Sequence, residues 1–565
     1  MTARILKTRI KFCMLIAVLP ALPISIRLFY LQTVKHENLT AAASREFNRT
    51  VSETGPRGRI FDSSGALLAE SIAAWDCSLL KKDLKNRAYS LEALAAALDI
   101  PPSRLREKYR RAKNFVVIKR RLDKASYEKV KALALKGVSL DMAQTRYYPS
   151  GELARNVIGV VGANAGLTGV ELLYDKVLSG LVSRRGVIRD AAGRVIYENK
   201  EGGEEHPRDI YLTLDKNIQF FTQEAVKKEV LKNRADLGMG LVQDPNTGKI
   251  LAMATYPEDP VKLPPVEWVY EPGSTFKSIT LAAALEKNIV SEKDVFFCEN
   301  GAWKFTDKIT LHDHEPEGTL QLSGVIERSS NIGAAKIGLK LGLENYYLYA
   351  KAFGFGTKPG LGFYGESAGI LRSRKKYRQL DLAVGAYGHG LAATPLQVIS
   401  AYSALANGGR LLEARLVDRI TDFDGREISR EEPAPVRRAV AEETARRVKA
   451  ILLGAVDNGT GVNAAVTGYR VAGKTGTSKK IDPKTGRYLA GRNVASFCGF
   501  FPADKPLYTI LVVIDNPKTS QYGGESAAPA FREISKKIIT MKGIKPDAPE
   551  QFKNTLKDSG RPISD

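Results

Sequence analysis

Residues Ile279 to Leu285 form an apolar run (ITLAAAL) with no solvent-facing side. A helix of this kind belongs in the interior of a large domain, so the chain must build layers around it. The run is entered through Tyr270-Glu271-Pro272-Gly273-Ser274-Thr275-Phe276-Lys277. Pro272 and Gly273 punctuate the backbone, which places Ser274 at the expected helix N-terminus. Lys277 follows three residues later, and on a helix its amine shares a face with the Ser274 hydroxyl. A serine hydroxyl needs a base within hydrogen-bond reach to act as a nucleophile at neutral pH. The helix N-terminus adds unpaired N–H groups and a positive dipole end where anionic charge would develop. The stretch reads as an activated serine.

Ser-x-x-Lys by itself is weak evidence. The chain holds four such pairs, Ser78/Lys81, Ser126/Lys129, Ser274/Lys277 and Ser373/Lys376, where average composition gives roughly two by chance. Context separates them. Ser373/Lys376 lies in the cationic run RSRKKYR, Ser126/Lys129 falls on a polar helix face, and Ser274 alone has the Pro-Gly entry and the apolar helix behind it. Two further stretches supply acyl-transfer chemistry. Ser329-Ser330-Asn331 follows a helical piece (320 to 328) and offers a hydroxyl to relay a proton and an amide to hold a substrate amide. Val471-Ala472-Gly473-Lys474-Thr475-Gly476-Thr477 is strand-like, with a cation, two hydroxyls and, at Gly476, room for a substrate backbone to approach. Lys484-Thr485-Gly486 is a decoy, because it follows Pro483 in a turn and lacks the final threonine.

At 565 residues the chain is long enough for two or three domains. Its net charge of +23, from 85 Lys and Arg against 62 Asp and Glu, favours anionic partners such as a lipid surface or an anionic polymer. The four cysteines are far apart, with no C-x-x-C pair, so neither a zinc site nor a disulfide framework follows. His312-Asp313-His314 reads as a loop detail, since a metal needs more ligands than it offers. No metal or cofactor is expected.

Residues 1–11 carry four basic groups and no acid, and form a cytoplasmic tail. Phe12 to Ile26 is apolar; with Arg27 snorkelling outward and the stretch continued to Leu31, residues 12–31 reach the ~20 needed for a transmembrane anchor. The rival is a cleaved signal peptide, with Ala41-Ala42-Ala43 as the small-residue site, but that site lies far past the apolar run. The rest of the chain is then outside the cytoplasm, which removes nucleic acid as a partner.

Residues 32–205 alternate short strands and helices. Gly55 to Asp62 followed by Ser63-Ser64-Gly65 reads as strand, turn, strand; 91–98 and 127–135 read as amphipathic helices; Gly166, Gly169 and Gly180 mark turns near Glu171. From 206 to 545 a helix capped by Asp215, with Ile218, Phe221 and Ala225 on its apolar face, precedes a hairpin at 239–255. Strands at 494–501 and 508–515 and a last helix with Phe531, Ile534 and Ile538 on one side close the domain. A sheet that opens with a hairpin, a long helical middle and a return to strands is an α+β arrangement. Residues 546–565 read as a polar tail.

The three stretches, in this order, resemble the Ser-x-x-Lys, Ser-x-Asn and Lys-Thr-Gly set of penicillin-binding proteins and serine β-lactamases. Arg57-Gly58-Arg59-Ile60 with Asp62, Tyr148-Pro149, Gly166-x-x-Gly169-x-Glu171, the anchor and the hairpin extend the likeness over nearly the whole chain, to a class B penicillin-binding protein. Ser63 departs from it, where the family often carries arginine. Asn331 and the Tyr270-Glu271-Pro272-Gly273 entry are similar to the division type (FtsI-like), where elongation-type enzymes usually carry aspartate at the place of Asn331. The resemblance implies a transmembrane helix, an elongated α/β pedestal of the dimerisation type and a β-lactamase-like transpeptidase domain with an antiparallel sheet flanked by helices.

The implied activity is peptidoglycan D,D-transpeptidation, with D-Ala-D-Ala stem peptides as donor, an amine of a neighbouring stem as acceptor, and β-lactams as inhibitors. Ser274 would be the nucleophile, Lys277 its base, Ser329 the proton relay and Asn331 the holder of the substrate amide. Lys474 with Thr475 and Thr477 would bind the terminal carboxylate, beside Gly476. The pedestal would dock a membrane glycosyltransferase of the SEDS family (FtsW-like) in a division complex at the inner membrane. The same motifs also occur in an elongation-type enzyme, a carboxypeptidase or β-lactamase, a membrane β-lactam sensor, and a scaffold with a dead site.

Overall fold

The computed structural model describes residues 2–18, 20–40, 48–162, 165–179, 182–189, 195–201, 206–482 and 485–548. The expected turn at Gly180, the Ala41-Ala42-Ala43 run, Pro483-Lys484 of the decoy and residues 549–565 lie outside them. The contacts divide the chain into two units, Met1–Gly55 with Ser179–Pro207, and Pro56–Leu178 with Arg208–Asp565. In the first, a helical stretch over Arg4–Val34 is long and apolar enough to cross a membrane. The same unit holds an antiparallel sheet of Asn48–Thr54, Val182–Arg189 and Val195–Glu201.

The second unit is built on a five-stranded antiparallel sheet in the order Ile250–Tyr256, Leu237–Gln243, Tyr508–Asp515, Tyr488–Phe501, Ala472–Ile481. Strand side chains alternate between faces, and both faces of the inner strands are covered, so Leu237–Gln243 and Tyr508–Asp515 are apolar almost throughout. Along Tyr508–Asp515, Ile510, Val512 and Ile514 enter one core, while Leu511 and Val513 enter the other. The first core lies under Lys216–Asn233 and Ala528–Lys542. Asp215 caps the former by accepting from the N–H groups of Asn217 and Ile218. Phe531, Ile534 and Ile538 of the latter are fully buried. In the second core, Lys277–Glu286 is buried from Lys277 to Leu285, packed with Asn331–Ala352, Pro395–Ala406 and Glu442–Asp457. The apolar run is thus the interior helix that its composition demands.

The hairpin turns where expected, with the Asp244 carboxylate accepting from Asn246 N–H and the Thr247 hydroxyl. Two other expected elements shift. The helix expected at 127–135 is Lys124–Ala132, started by Asp123 accepting from Ser126 N–H, and that expected at 91–98 is Arg87–Ala97. Only Ile60–Phe61 of the 55–62 stretch is strand. This short strand pairs parallel with Asp209–Leu212 and antiparallel with Leu67–Leu80. It therefore joins one sheet running from Glu427–Arg430 and Val417–Thr421 through to Phe115–Leu122.

Beside this junction Glu171, fully buried, accepts from Arg57 Nε at 3.0 Å and Arg146 Nε at 2.6 Å, while Arg57 Nη1 reaches Asp175 at 2.7 Å. Removing one partner of a buried ion cluster strands the other charges, at about 3–5 kcal/mol. Glu171→Ala is accordingly expected to lower the midpoint of thermal unfolding well beyond Glu92→Ala, whose partner Arg106 is an exposed cation; calorimetry on both variants checks this.

Candidate active site

The serine turn is held from three sides. Tyr270 exchanges both backbone hydrogen bonds with Ala393, at 3.0 and 2.8 Å. The Thr275 hydroxyl donates to Pro272 O at 2.7 Å, and the buried Tyr402 hydroxyl donates to Thr275 O at 2.8 Å. The third contact is with the edge strand Ala472–Ile481. Gly273 has φ +54°, and a Cβ there would lie 2.7 Å from Thr477 O. At Gly476 a Cβ would lie 2.9 Å from Thr275 Cγ2, 3.0 Å from Pro272 O and 2.4 Å from Ser496 Oγ. The space at Gly476, expected to admit a substrate backbone, is filled by the serine turn and the neighbouring strand. The missing side chain serves the close approach of these two elements.

Ser274 is half-buried, and among the described residues its hydroxyl has no hydrogen-bond partner. The Lys277 amine, 1% exposed, donates to Ser329 O at 2.5 Å, Ser329 Oγ at 3.2 Å and Asn331 Oδ1 at 2.9 Å. The direct Ser274–Lys277 bond that the spacing predicts is not formed. Lys277 instead joins the serine helix to the Ser329–Asn331 turn.

That turn is unusual in backbone as well. Ser329 has φ +60°, which lets its carbonyl and hydroxyl both meet Lys277. Ser330 caps Asn331–Ala352, accepting from Gly333 N–H at 2.9 Å, and donates to Asp313 Oδ2 at 2.6 Å. Asp313 Oδ1 accepts from the N–H groups of Asn331 and Ile332, and Asn331 Nδ2 donates to His312 O at 2.9 Å. His312-Asp313 is therefore the clamp on the turn. Sequence reasoning missed it because the contacts span eighteen or so residues with no local pattern.

Burial pushes the Lys277 amine well below the ordinary lysine range, helped by the Lys474 charge; Asp313 and then Cys298 pull the other way. Lys474 is fully buried, and burial pushes it down to about 7. It donates to Thr475 Oγ1 at 3.2 Å, Thr460 Oγ1 at 3.3 Å and Thr475 O at 3.5 Å. Lys474, expected to bind a carboxylate together with Thr475 and Thr477, has its amine bonded to protein oxygens of Thr460 and Thr475. Thr477 is half-buried, its hydroxyl accepting from Gly523 N–H at 3.2 Å.

Glu271, 4% exposed, accepts from Gly390 N–H at 2.7 Å and from Tyr488 OH at 3.0 and 3.1 Å, and burial raises its pKa. His389 is pushed down to about 4 by burial, with the Lys277 and Lys479 charges adding, so it is neutral at pH 7. Among the other Ser-x-x-Lys pairs, Ser78 is buried against Asp141, and the Ser126 N–H donates to Asp123 at the start of its helix.

The penicillin-binding protein transpeptidase domain matches residues 238–536, and the penicillin-binding protein dimerisation domain matches 52–212. The chain is 33% identical to stage V sporulation protein D of Bacillus subtilis over 96% of this chain and 86% of that one. It is 30% identical to the peptidoglycan D,D-transpeptidase FtsI of Escherichia coli K12, over 92% and 90%. Among solved structures, penicillin-binding protein 3 of Mycobacterium tuberculosis, complexed with aztreonam, superposes with a TM-score of 0.67 at 27% identity, over 88% of this chain and 99% of that one. A dimerisation domain followed by a transpeptidase domain, with Ser274, Ser329 and Asn331 gathered around the buried Lys277, places the chain in the class B penicillin-binding proteins.

Proposed function

We propose that the chain is a peptidoglycan D,D-transpeptidase that cross-links stem peptides through an acyl-enzyme on Ser274. The observation that carries this is the position of the Lys277 amine, buried beneath the serine turn and tied to both Ser329 and Asn331. A buried amine next to a second cation is readily neutral, and a neutral amine has a lone pair to take the Ser274 proton.

Ser274 Oγ attacks the penultimate D-Ala carbonyl while its proton passes to Lys277. Ser329, in contact with Lys277, returns a proton to the departing D-Ala amine. The Ser274 and Thr477 N–H groups receive the developing oxyanion, each worth about 3 kcal/mol. Asn331 keeps one amide hydrogen for the substrate, since Lys277 and His312 O occupy the rest of its inner side. Thr475 and Thr477 take the terminal carboxylate, with the Lys474 charge behind them. The edge position of Ala472–Ile481 allows an extended peptide to lie along it as an added strand. An amine from a second stem then takes the acyl group, forming the cross-link and freeing Ser274.

Asn331, and relatives named FtsI and stage V sporulation protein D, favour a role in septal wall synthesis. Arg4, Lys7, Arg9 and Lys11, at the N-terminal end of the Arg4–Val34 helix, favour a cytoplasmic N-terminus and an extracytoplasmic catalytic domain. We assign 32–205 to a pedestal that docks a SEDS-family glycosyltransferase, and 206–545 to catalysis. Pull-down of that glycosyltransferase by the 1–205 segment, and mid-cell rather than side-wall localisation of a fluorescent fusion, test these assignments.

Ser274→Ala is expected to abolish covalent labelling by a fluorescent penicillin, while Ser126→Ala labels normally; labelling of Ser274→Ala would overturn the mechanism. Partition of the acyl group to an added amine rather than to water separates a transpeptidase from a carboxypeptidase. Acylation should rise with pH as Lys277 loses its proton and decline above about 7 as Lys474 loses its own. Asp313→Asn removes a negative charge that favours protonated Lys277, so the rising limb should move to lower pH, read from stopped-flow acylation across a pH series.

A further inference from the structure

The mechanism above gives no role to Thr460, although its side chain touches the catalytic strand. Thr460 lies in Asn458-Gly459-Thr460-Gly461, between Glu442–Asp457 and the short turn Val462–Ala464. Its N–H donates to Glu327 O at 3.2 Å, at the end of the helix that leads into Ser329. Its hydroxyl lies 2.6 Å from Thr475 Oγ1 and 3.3 Å from Lys474 Nζ. Lys474 Nζ is also 3.2 Å from Thr475 Oγ1. Three polar groups from two segments thus close a ring.

The donors in this ring can be counted. A lysine ammonium only donates, whereas each hydroxyl has one hydrogen and two lone pairs. Lys474 supplies a hydrogen to both hydroxyl oxygens. The 2.6 Å contact between the hydroxyls uses one of their two hydrogens. The other has no acceptor among the described residues. With Thr460 donating inward, the spare hydrogen belongs to Thr475; with Thr475 donating, it belongs to Thr460. Either way the ring presents one cation-backed O–H and no open acceptor facing that hydrogen, an arrangement that suits an anion.

We propose that Thr460 is a positioning residue for recognition of the ligand carboxylate: by donating to Thr475 it turns the Thr475 hydrogen outward onto the anion. This rests on the reading of Lys474 and Thr475 as the carboxylate-binding group. The consequence is that specificity for a C-terminal carboxylate depends on a residue outside the Lys474–Thr477 strand. The loop that supplies it is hydrogen-bonded to the end of the helix preceding Ser329, so the anion-binding and proton-relay sides of the site share one support.

The test uses the full-length chain in detergent and a fluorescent penicillin, which carries a carboxylate. Thr460→Val, Thr460→Ser and Thr475→Val are compared by acylation kinetics over a pH series and by thermal unfolding. Thr460→Val should lower the second-order acylation rate about tenfold, mostly through weaker initial binding. It should also move the falling limb to lower pH, because charged Lys474 loses an acceptor. Thr460→Ser keeps the hydroxyl and should stay near wild type in both respects. A wild-type rate in Thr460→Val, a loss that serine does not restore, or a loss with the falling limb unmoved overturns the proposal. Thr475→Val separates the two readings: if it acylates normally, the carboxylate-binding assignment itself has failed. If it is impaired while Thr460→Val is not, only the role of Thr460 falls.

Discussion

Two lysine amines are kept inside one protein core, and the rest of the catalytic unit is arranged around that constraint. An ammonium removed from water is costly, and two close together repel as well. The structure relieves this by surrounding each amine with oxygens, Ser329 O, Ser329 Oγ and Asn331 Oδ1 for Lys277, and Thr460 Oγ1, Thr475 Oγ1 and Thr475 O for Lys474. Burial then becomes useful, because it lowers the affinity of both amines for protons. Lys277 is pushed well below the ordinary lysine range, and Lys474 down to about 7, beside two threonine hydroxyls.

The oxygens come from segments far apart in the chain, so the site depends on the packing that brings them together. Lys277–Glu286 is central because it is apolar nearly all round, and the long helices that cover it carry the Ser329–Asn331 turn to its N-terminal end. The edge strand meets the serine turn only because two glycines, Gly273 and Gly476, leave no side chain between them. A methyl group at either would push Ser274 away from the edge strand. Asp313 does the corresponding work on the opposite side, holding Ser330, Asn331 and Ile332 with one carboxylate.

The periodic elements were legible in the sequence: the helix capped by Asp215, the hairpin at 239–255, the final helix with Phe531, Ile534 and Ile538 inward, and the buried helix behind Ser274. Each follows from local patterning, since side-chain period and turn chemistry need only a few neighbouring residues. The chemical stretches were legible too, and their order on the chain was enough for the family resemblance. Boundaries were less so. Asp123 moved one helix start, and most of the 55–62 stretch proved to be loop around a two-residue strand.

By itself the sequence determined which segments are helices and strands of a covered antiparallel sheet, and which serine has partners of the right chemistry. Tertiary structure alone decided how those partners are used. Lys277 bonds to Ser329 and Asn331 rather than to Ser274; Lys474 reaches Thr460 and Thr475; and Gly476 makes room for the serine turn. Asp313 and Thr460 joined the site without any signal in their surroundings. The reason is that a hydrogen bond depends on a few tenths of an ångström between atoms, set by how whole layers pack. Periodicity records which face of an element is buried, and says nothing of which polar atom it will meet there.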